Sequence, residues 1–89
     1  MMFLAVSQNS GDPTPYLSEE GARLRQLQDA GIVDTVLLKA DWSGAVLLLT
    51  APDGAAARAA VDSLPLVSNG VTRFELTEVV APPQEPLPA

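Results

Sequence analysis

The sequence contains neither cysteine nor histidine. Without cysteine the chain can form no disulfide and offers no thiolate nucleophile. Without histidine it lacks the commonest general base and the commonest metal ligand of proteins. The carboxylates form no dense metal-binding motif, and no glycine-rich phosphate loop is present. We therefore expect no metal and no other cofactor.

Basic residues are also scarce: five Lys and Arg stand against eleven Asp and Glu, which gives a formal net charge of −6. Because phosphate contacts need a basic patch, we predict no binding to nucleic acid. No segment approaches the roughly 20 apolar residues of a membrane span, and the apolar start lacks the basic region of a signal peptide. We therefore expect a soluble, cytoplasmic protein with no membrane partner.

The length of 89 residues and the apolar content of 47% predict one globular domain. We place this domain at residues 1–80. The last nine residues, 81–89, read "APPQEPLPA". A segment so rich in proline predicts a tail that is extended or unstructured.

The hydrophobic pattern predicts four strands and two helices. Strands are expected at residues 2–8, 32–40, 44–51 and 71–80, and helices at 15–30 and 52–64. Gly31 suits the position after the first helix, and Asp53 suits the N-cap of the second. The order βαββαβ is typical of the α+β ferredoxin-like fold, a four-stranded antiparallel sheet with both helices on one face.

The helices each carry an apolar stripe. The first stripe contains Leu17, Leu24 and Leu27, with Gly21 and Ala22 beside it, and the second contains Ala57, Ala60, Val61 and Leu64. Pro65 is expected to end the second helix, so that the leucines on either side of it enter the core. The "SNG" that follows then reverses the chain into the last strand.

The third strand is apolar on both faces: Val46 and Leu48 point one way, Leu47 and Leu49 the other. The face without helices therefore carries five or six large apolar side chains, and burying them is worth on the order of 10 kcal/mol before association costs. This pattern predicts a homodimer, or a multiple of one, in which a second copy covers the sheet. The alternative is a monomer with an exposed apolar face.

The fourth strand alternates apolar and polar residues. Phe74 and Leu76 are predicted to face the helices. The other face then carries the polar side chains of Arg73, Glu75, Thr77 and, from the second strand, Lys39. Charges at these positions predict either a polar-lined cavity or a paired interface.

The segment "DSLPLVSNGVTRFELTEV", residues 62–79, resembles muconolactone delta-isomerase, and the correspondence extends over most of residues 2–80. The stretch around Pro65, "SLPL", is also similar to the corresponding stretch of the YCII-related proteins. Both families belong to the dimeric alpha-beta barrel superfamily, in which two ferredoxin-like subunits join their sheets. The resemblance implies this fold and a homodimer. The His–Asp pair of the YCII-related proteins has no counterpart here, because the chain has no histidine.

The resemblance also implies a catalytic glutamate in the first helix. Counting back from Gly31, Glu20 matches that glutamate, and Tyr16 stands where the isomerase has a lysine one turn earlier. Glu75 is the first candidate for a general base, because it lies on the polar face of the fourth strand. Glu20 is the second candidate. Either acid has a simpler interpretation: Glu75 in a salt bridge with Arg73 or with a residue of a partner, and Glu20 as a solvated acid near the helix dipole that pairs with Arg23.

Five further residues are candidates for binding a small-molecule ligand: Arg73, Thr77, Lys39, Trp42 and Tyr16. The simpler interpretation of Lys39 is solvent exposure, while Trp42 and Tyr16 are of types that commonly pack against their own domain. Two functions fit these residues. One is a cofactor-independent enzyme, an isomerase or cyclase, that acts on a small cyclic or aromatic-derived metabolite. The other is a non-catalytic dimer that binds a small ligand or has a structural role.

Overall fold

The computed structural model describes residues 1–82. Its strands are β1 (Met2–Asn9), β2 (Val33–Leu38), β3 (Ala45–Thr50) and β4 (Thr72–Val79). Its helices are α1 (Leu17–Asp29), α2 (Gly54–Asp62) and the short α3 (Pro65–Ser68), and a 3-10 turn (Thr14–Tyr16) precedes α1. Most of the predicted tail, residues 83–89, lies outside the described residues.

The four strands form one antiparallel sheet in the order β2-β3-β1-β4. The central strand β1 pairs with β3 on one side and with β4 on the other. The predicted α+β ferredoxin-like fold, with four antiparallel strands and helices on one face, is confirmed.

Local sequence signals set the ends of the helices. The Asp53 side chain accepts a hydrogen bond from the N–H of Ala56 at 2.8 Å, as expected of an N-cap. Gly31 follows α1 with a φ of 76°, a backbone conformation in which a β-carbon would be strained. The first helix is shorter than predicted, because the turn that contains Pro15 is a 3-10 turn.

Pro65 does more than end α2. It is the first residue of α3, where its missing N–H costs no helical hydrogen bond and its fixed φ suits a helix start. Leu64, just before it, is fully buried, as predicted. Leu66, just after it, is only half-buried. α2 ends before Pro65, as predicted, but the prediction that Leu66 enters the core was wrong, and the segment between α2 and β4 is a short helix that the sequence pattern did not predict.

The core lies between the helices and one face of the sheet. The sheet contributes Phe3, Ala5, Val33, Leu47, Leu49 and Phe74, and the helices contribute Leu27, Ala57, Ala60 and Val61. The predicted stripe of α2 is buried throughout. The predicted stripe of α1 was wrong at one end, because Leu17 is 53% exposed at the start of the helix.

The opposite face of the sheet, which we call the open face, has no helix on it. Its side chains follow the predicted parity: Phe74 is buried on the helix side, whereas Arg73 and Glu75 are exposed. On the other strands this face carries a continuous apolar patch formed by Leu4, Val6, Leu37, Val46 and Leu48.

Candidate active site

A pocket of about 200 Å³ lies on the helix side of the sheet, at the end where α1 begins. Its walls include Ser7 from β1, Thr72 and Phe74 from β4, Glu20 from α1, Leu66 from α3 and Trp42 from the β2–β3 loop. An engineered apolar cavity of about 150 Å³ accepts benzene. The pocket is therefore the right size for one six-membered ring with one or two small substituents.

Glu20 is the charged group in this pocket. Although it is an acid, it is only 7% exposed, because it lies on the same helical face as Leu24 and Leu27. Its Oε1 accepts a hydrogen bond of 3.0 Å from the N–H of Leu66, 46 residues away in the sequence. The first turn of α3 thus holds one oxygen of the carboxylate in place.

The simpler interpretation of Glu20 as a solvated acid was wrong. Arg23, three residues along the helix, points to other partners: its Nε donates to Ser63 Oγ and its Nη1 to Gln26 Oε1, both at 3.0 Å. Burial raises the pKa of Glu20 above its ordinary value, and the hydrogen bond from Leu66 offsets part of that rise. A carboxylate with a raised pKa in an apolar pocket is a stronger base than an ordinary glutamate and is suited to proton transfer.

The raised pKa of Glu20 predicts how stability depends on pH. In the unfolded chain Glu20 should titrate near its ordinary pKa of 4.5, and in the folded chain above it. Between these two values the folded state binds more protons, so this contribution to the free energy of unfolding is lost as pH rises from about 4.5 through the folded pKa. Glu20→Gln cannot titrate. Urea melts at several pH values should show the variant gaining stability relative to the natural chain over this window, and parallel curves would contradict the pKa shift.

Two hydroxyls on the sheet wall of the pocket have different environments, although each side chain is only 2% exposed. Ser7 Oγ accepts from the N–H of Ala45 at 2.8 Å and donates to the Ala45 carbonyl at 3.4 Å. Thr72 Oγ1 has no hydrogen-bond partner among residues 1–82. The Ser7 hydroxyl therefore links β1 to the start of β3, whereas the Thr72 hydroxyl forms no hydrogen bond within the described structure.

Trp42 lies at the mouth of the pocket and is 75% exposed. Its φ of 64° is the left-handed conformation, which is unusual for a bulky residue. The surrounding loop supports it: the N–H of Trp42 donates to the Lys39 carbonyl at 2.9 Å, and Asp41 Oδ1 accepts from the N–H and the hydroxyl of Ser43 at 3.0 and 2.6 Å.

The structure divides the predicted site residues between the two faces of the sheet. Glu20 and Trp42 line the helix-side pocket. A groove on the open face brings together Lys39, Arg73 and Glu75, and the Lys39 ammonium donates to Gln8 Oε1 at 3.1 Å. Thr77 is exposed farther along the same face, and Tyr16 is half-buried in the 3-10 turn and does not line the pocket.

Sequence reasoning did not identify Ser7 and Thr72. Both occupy strand positions whose alternation predicts an inward-facing side chain: Ser7 continues the series of Phe3 and Ala5, and Thr72 is two residues before Phe74. A small polar residue in an inward series is the signal that would have found them.

No family model matches the sequence, and no curated protein matches it either. Among solved structures, a 5-chloro-2-hydroxyhydroquinone dehydrochlorinase from Burkholderia phenoliruptrix matches with a TM-score of 0.70. The match covers 90% of this chain and 94% of that chain, at 17% sequence identity. The two chains share a fold. At this identity the match shows the fold alone, and membership of the muconolactone delta-isomerase family stays a prediction.

Within residues 1–82 no three Asp or Glu side chains come together as a metal site would require. No helix within it has the length and apolar character needed to cross a membrane.

Proposed function

We propose that the protein is a cofactor-independent enzyme that moves a proton on a small, oxygen-bearing ring compound. The observation that carries this proposal is Glu20: a carboxylate with a raised pKa, buried in an apolar pocket of single-ring size. A buried acid is costly unless something compensates for its lost hydration, and a single backbone N–H does so only in part. Among residues 1–82 no hydrogen bond engages the second oxygen of the carboxylate, which can therefore act on a ligand.

The reaction that fits these groups is the isomerisation of a β,γ-unsaturated cyclic ketone or lactone. Glu20 removes the proton from the carbon between the carbonyl and the double bond, and the electron pair moves onto the carbonyl oxygen as a dienolate. The protonated Glu20 then returns the proton to the far end of the former double bond, which leaves the α,β-unsaturated product. No oxidant or reductant is consumed, and the base is regenerated.

The structural neighbour is in keeping with this substrate class. The dehydrochlorinase was solved with 2,5-dihydroxybenzoquinone, a single ring that carries oxygen atoms. Muconolactone-isomerase-like activity is the more specific form of the proposal. It would require the lactone ring to lie with its acidic carbon against Glu20.

The experiment that tests the proposal uses cyclohex-3-enone, a β,γ-unsaturated ring ketone that fits the pocket. We expect the protein to accelerate its conversion to cyclohex-2-enone, as followed by NMR spectroscopy. Saturable binding of both ketones without any acceleration would contradict an enzyme of this kind and would favour the non-catalytic ligand-binding dimer.

We also propose that a second copy of the chain covers the open face. The apolar patch runs across three strands, since Leu37 pairs with Val46, Val46 with Val6, and Leu48 with Leu4. At its edge β4 presents Arg73 and Glu75 two residues apart. In a two-fold dimer each patch meets its own copy, so opposite charges on one strand can pair with the same strand of the partner.

Leu37→Lys should weaken this dimer. Leu37 is 59% exposed in the single chain, so the change should cost the monomer little, whereas a buried lysine would disfavour the interface. Ala59→Lys, at an exposed position of α2, is the matched control. Light scattering at micromolar concentration should give twice the chain mass for the natural chain and for the control, and a lower mass for Leu37→Lys. A natural chain with the mass of a monomer would contradict the dimer.

A further inference from the structure

The hydroxyl of Thr72 lacks a function in the described fold. It is inside the protein, with the side chain only 2% exposed, and no group of residues 1–82 accepts from it or donates to it. A buried hydroxyl without a partner destabilises a protein, because its hydrogen bonds to water are lost and not replaced. Valine has nearly the same shape and would avoid this cost.

The position of Thr72 offers a reason for the hydroxyl. Thr72 lies in the wall of the same pocket as Glu20, but on the sheet side, whereas Glu20 comes from the helix side. A ring in the pocket therefore has Glu20 on one wall and, on the other, Thr72, whose hydroxyl has no partner among residues 1–82. The neighbouring hydroxyl of Ser7 is not free to act in this way, because Ala45 engages it as both donor and acceptor.

We propose that Thr72 binds the ring oxygen of the ligand, donating its hydroxyl hydrogen to a carbonyl oxygen whose negative charge grows as Glu20 removes a proton. This inference rests on the proposed function, since it assigns a binding group to the same pocket. It also gives the substrate a chemical requirement: the ring must carry an oxygen acceptor that reaches β4 while the acidic carbon faces α1.

The test compares three variants with the natural chain. Their stability is measured without a ligand, and their binding is measured with two probe molecules. Thr72→Val removes the hydroxyl and keeps the shape, Thr72→Ser keeps the hydroxyl, and Ser7→Ala removes the committed hydroxyl beside it. The probes are cyclohexanone and methylenecyclohexane, which has a CH₂ group in place of the carbonyl oxygen. Binding is measured by chemical-shift titration, and stability by the thermal midpoint from circular dichroism.

In the free protein, Thr72→Val should raise the thermal midpoint by about 4 °C or more, because it removes an unsatisfied buried hydroxyl. Ser7→Ala should lower the midpoint, because it leaves the N–H of Ala45 unpaired. A fall in the midpoint of Thr72→Val similar to that of Ser7→Ala would overturn the inference, since it would mean that the Thr72 hydroxyl stabilises the fold itself.

With the probes, the natural chain should bind cyclohexanone about tenfold more tightly than methylenecyclohexane, and Thr72→Val should lose this preference. Thr72→Ser and Ser7→Ala should keep it. An unchanged preference in Thr72→Val would overturn this inference alone and leave the proposed function standing. A natural chain that binds neither ring would overturn both.

Discussion

Glu20→Gln is expected to lower the rate of ring-ketone isomerisation by about 100-fold or more. Glutamine has the size of glutamate, and its carbonyl oxygen can still accept the hydrogen bond from the N–H of Leu66. The pocket should therefore keep its shape, while the group that removes the proton is gone. We expect the loss in kcat, with KM for cyclohex-3-enone changed by much less.

Two matched variants locate the base. Glu19→Gln changes the preceding residue of the same helix turn, which is exposed, and should leave the rate unchanged. Glu75→Gln tests the first candidate from the sequence, which lies on the other face of the sheet. If Glu75→Gln removed the activity and Glu20→Gln did not, the reaction would take place on the open face and the pocket would have another role.

Gly44→Ala should cause the largest loss of stability of the substitutions considered, about 3 kcal/mol or more in the free energy of unfolding. A β-carbon at this position would overlap the carbonyl oxygen of Ser7 and lie 2.7 Å from its carbonyl carbon. Both are backbone atoms of the central strand β1, and they can retreat only if β1 and β3 separate. Urea melts measure the loss.

Gly21→Ala is the control for this effect. Gly21 is inside α1, and a β-carbon there would have no atom within 4 Å. Because alanine favours a helix more than glycine does, we expect a gain of about 0.5–1 kcal/mol. A small loss for Gly44→Ala, of the size common at exposed loop positions, would show that the β2–β3 loop can move away from β1.

The fold could be predicted because its signals are local. Each of three signals depends only on neighbouring residues: the apolar residues on both faces of β3, the N-cap at Asp53 and the glycine at position 31. All three are present in the structure. The alternation along β4 likewise set which side chains face the helices. Such signals define the elements and their inward faces, and the order of the elements then favours one fold.

The site was harder to predict, because it depends on contacts between distant parts of the chain. The hydrogen bond that fixes Glu20 comes from α3, and α3 itself was missed, since a proline after a helix is read as a stop. The environments of Ser7 and Thr72 differ because the N–H and carbonyl of Ala45 engage only the Ser7 hydroxyl, and the position of Ala45 depends on the pairing of β1 and β3. No local pattern contains that information.

The exposure of Trp42 has a spectroscopic consequence. It is the only tryptophan of the chain and is 75% exposed, so its indole is already largely in water in the folded protein. Unfolding would change its surroundings little, and its emission maximum would shift only slightly when the fold is lost. Fluorescence would therefore be a poor measure of unfolding. Because Trp42 lines the pocket mouth, the same emission should respond to a molecule that enters beneath it, and titrations could follow occupancy of the pocket without a label.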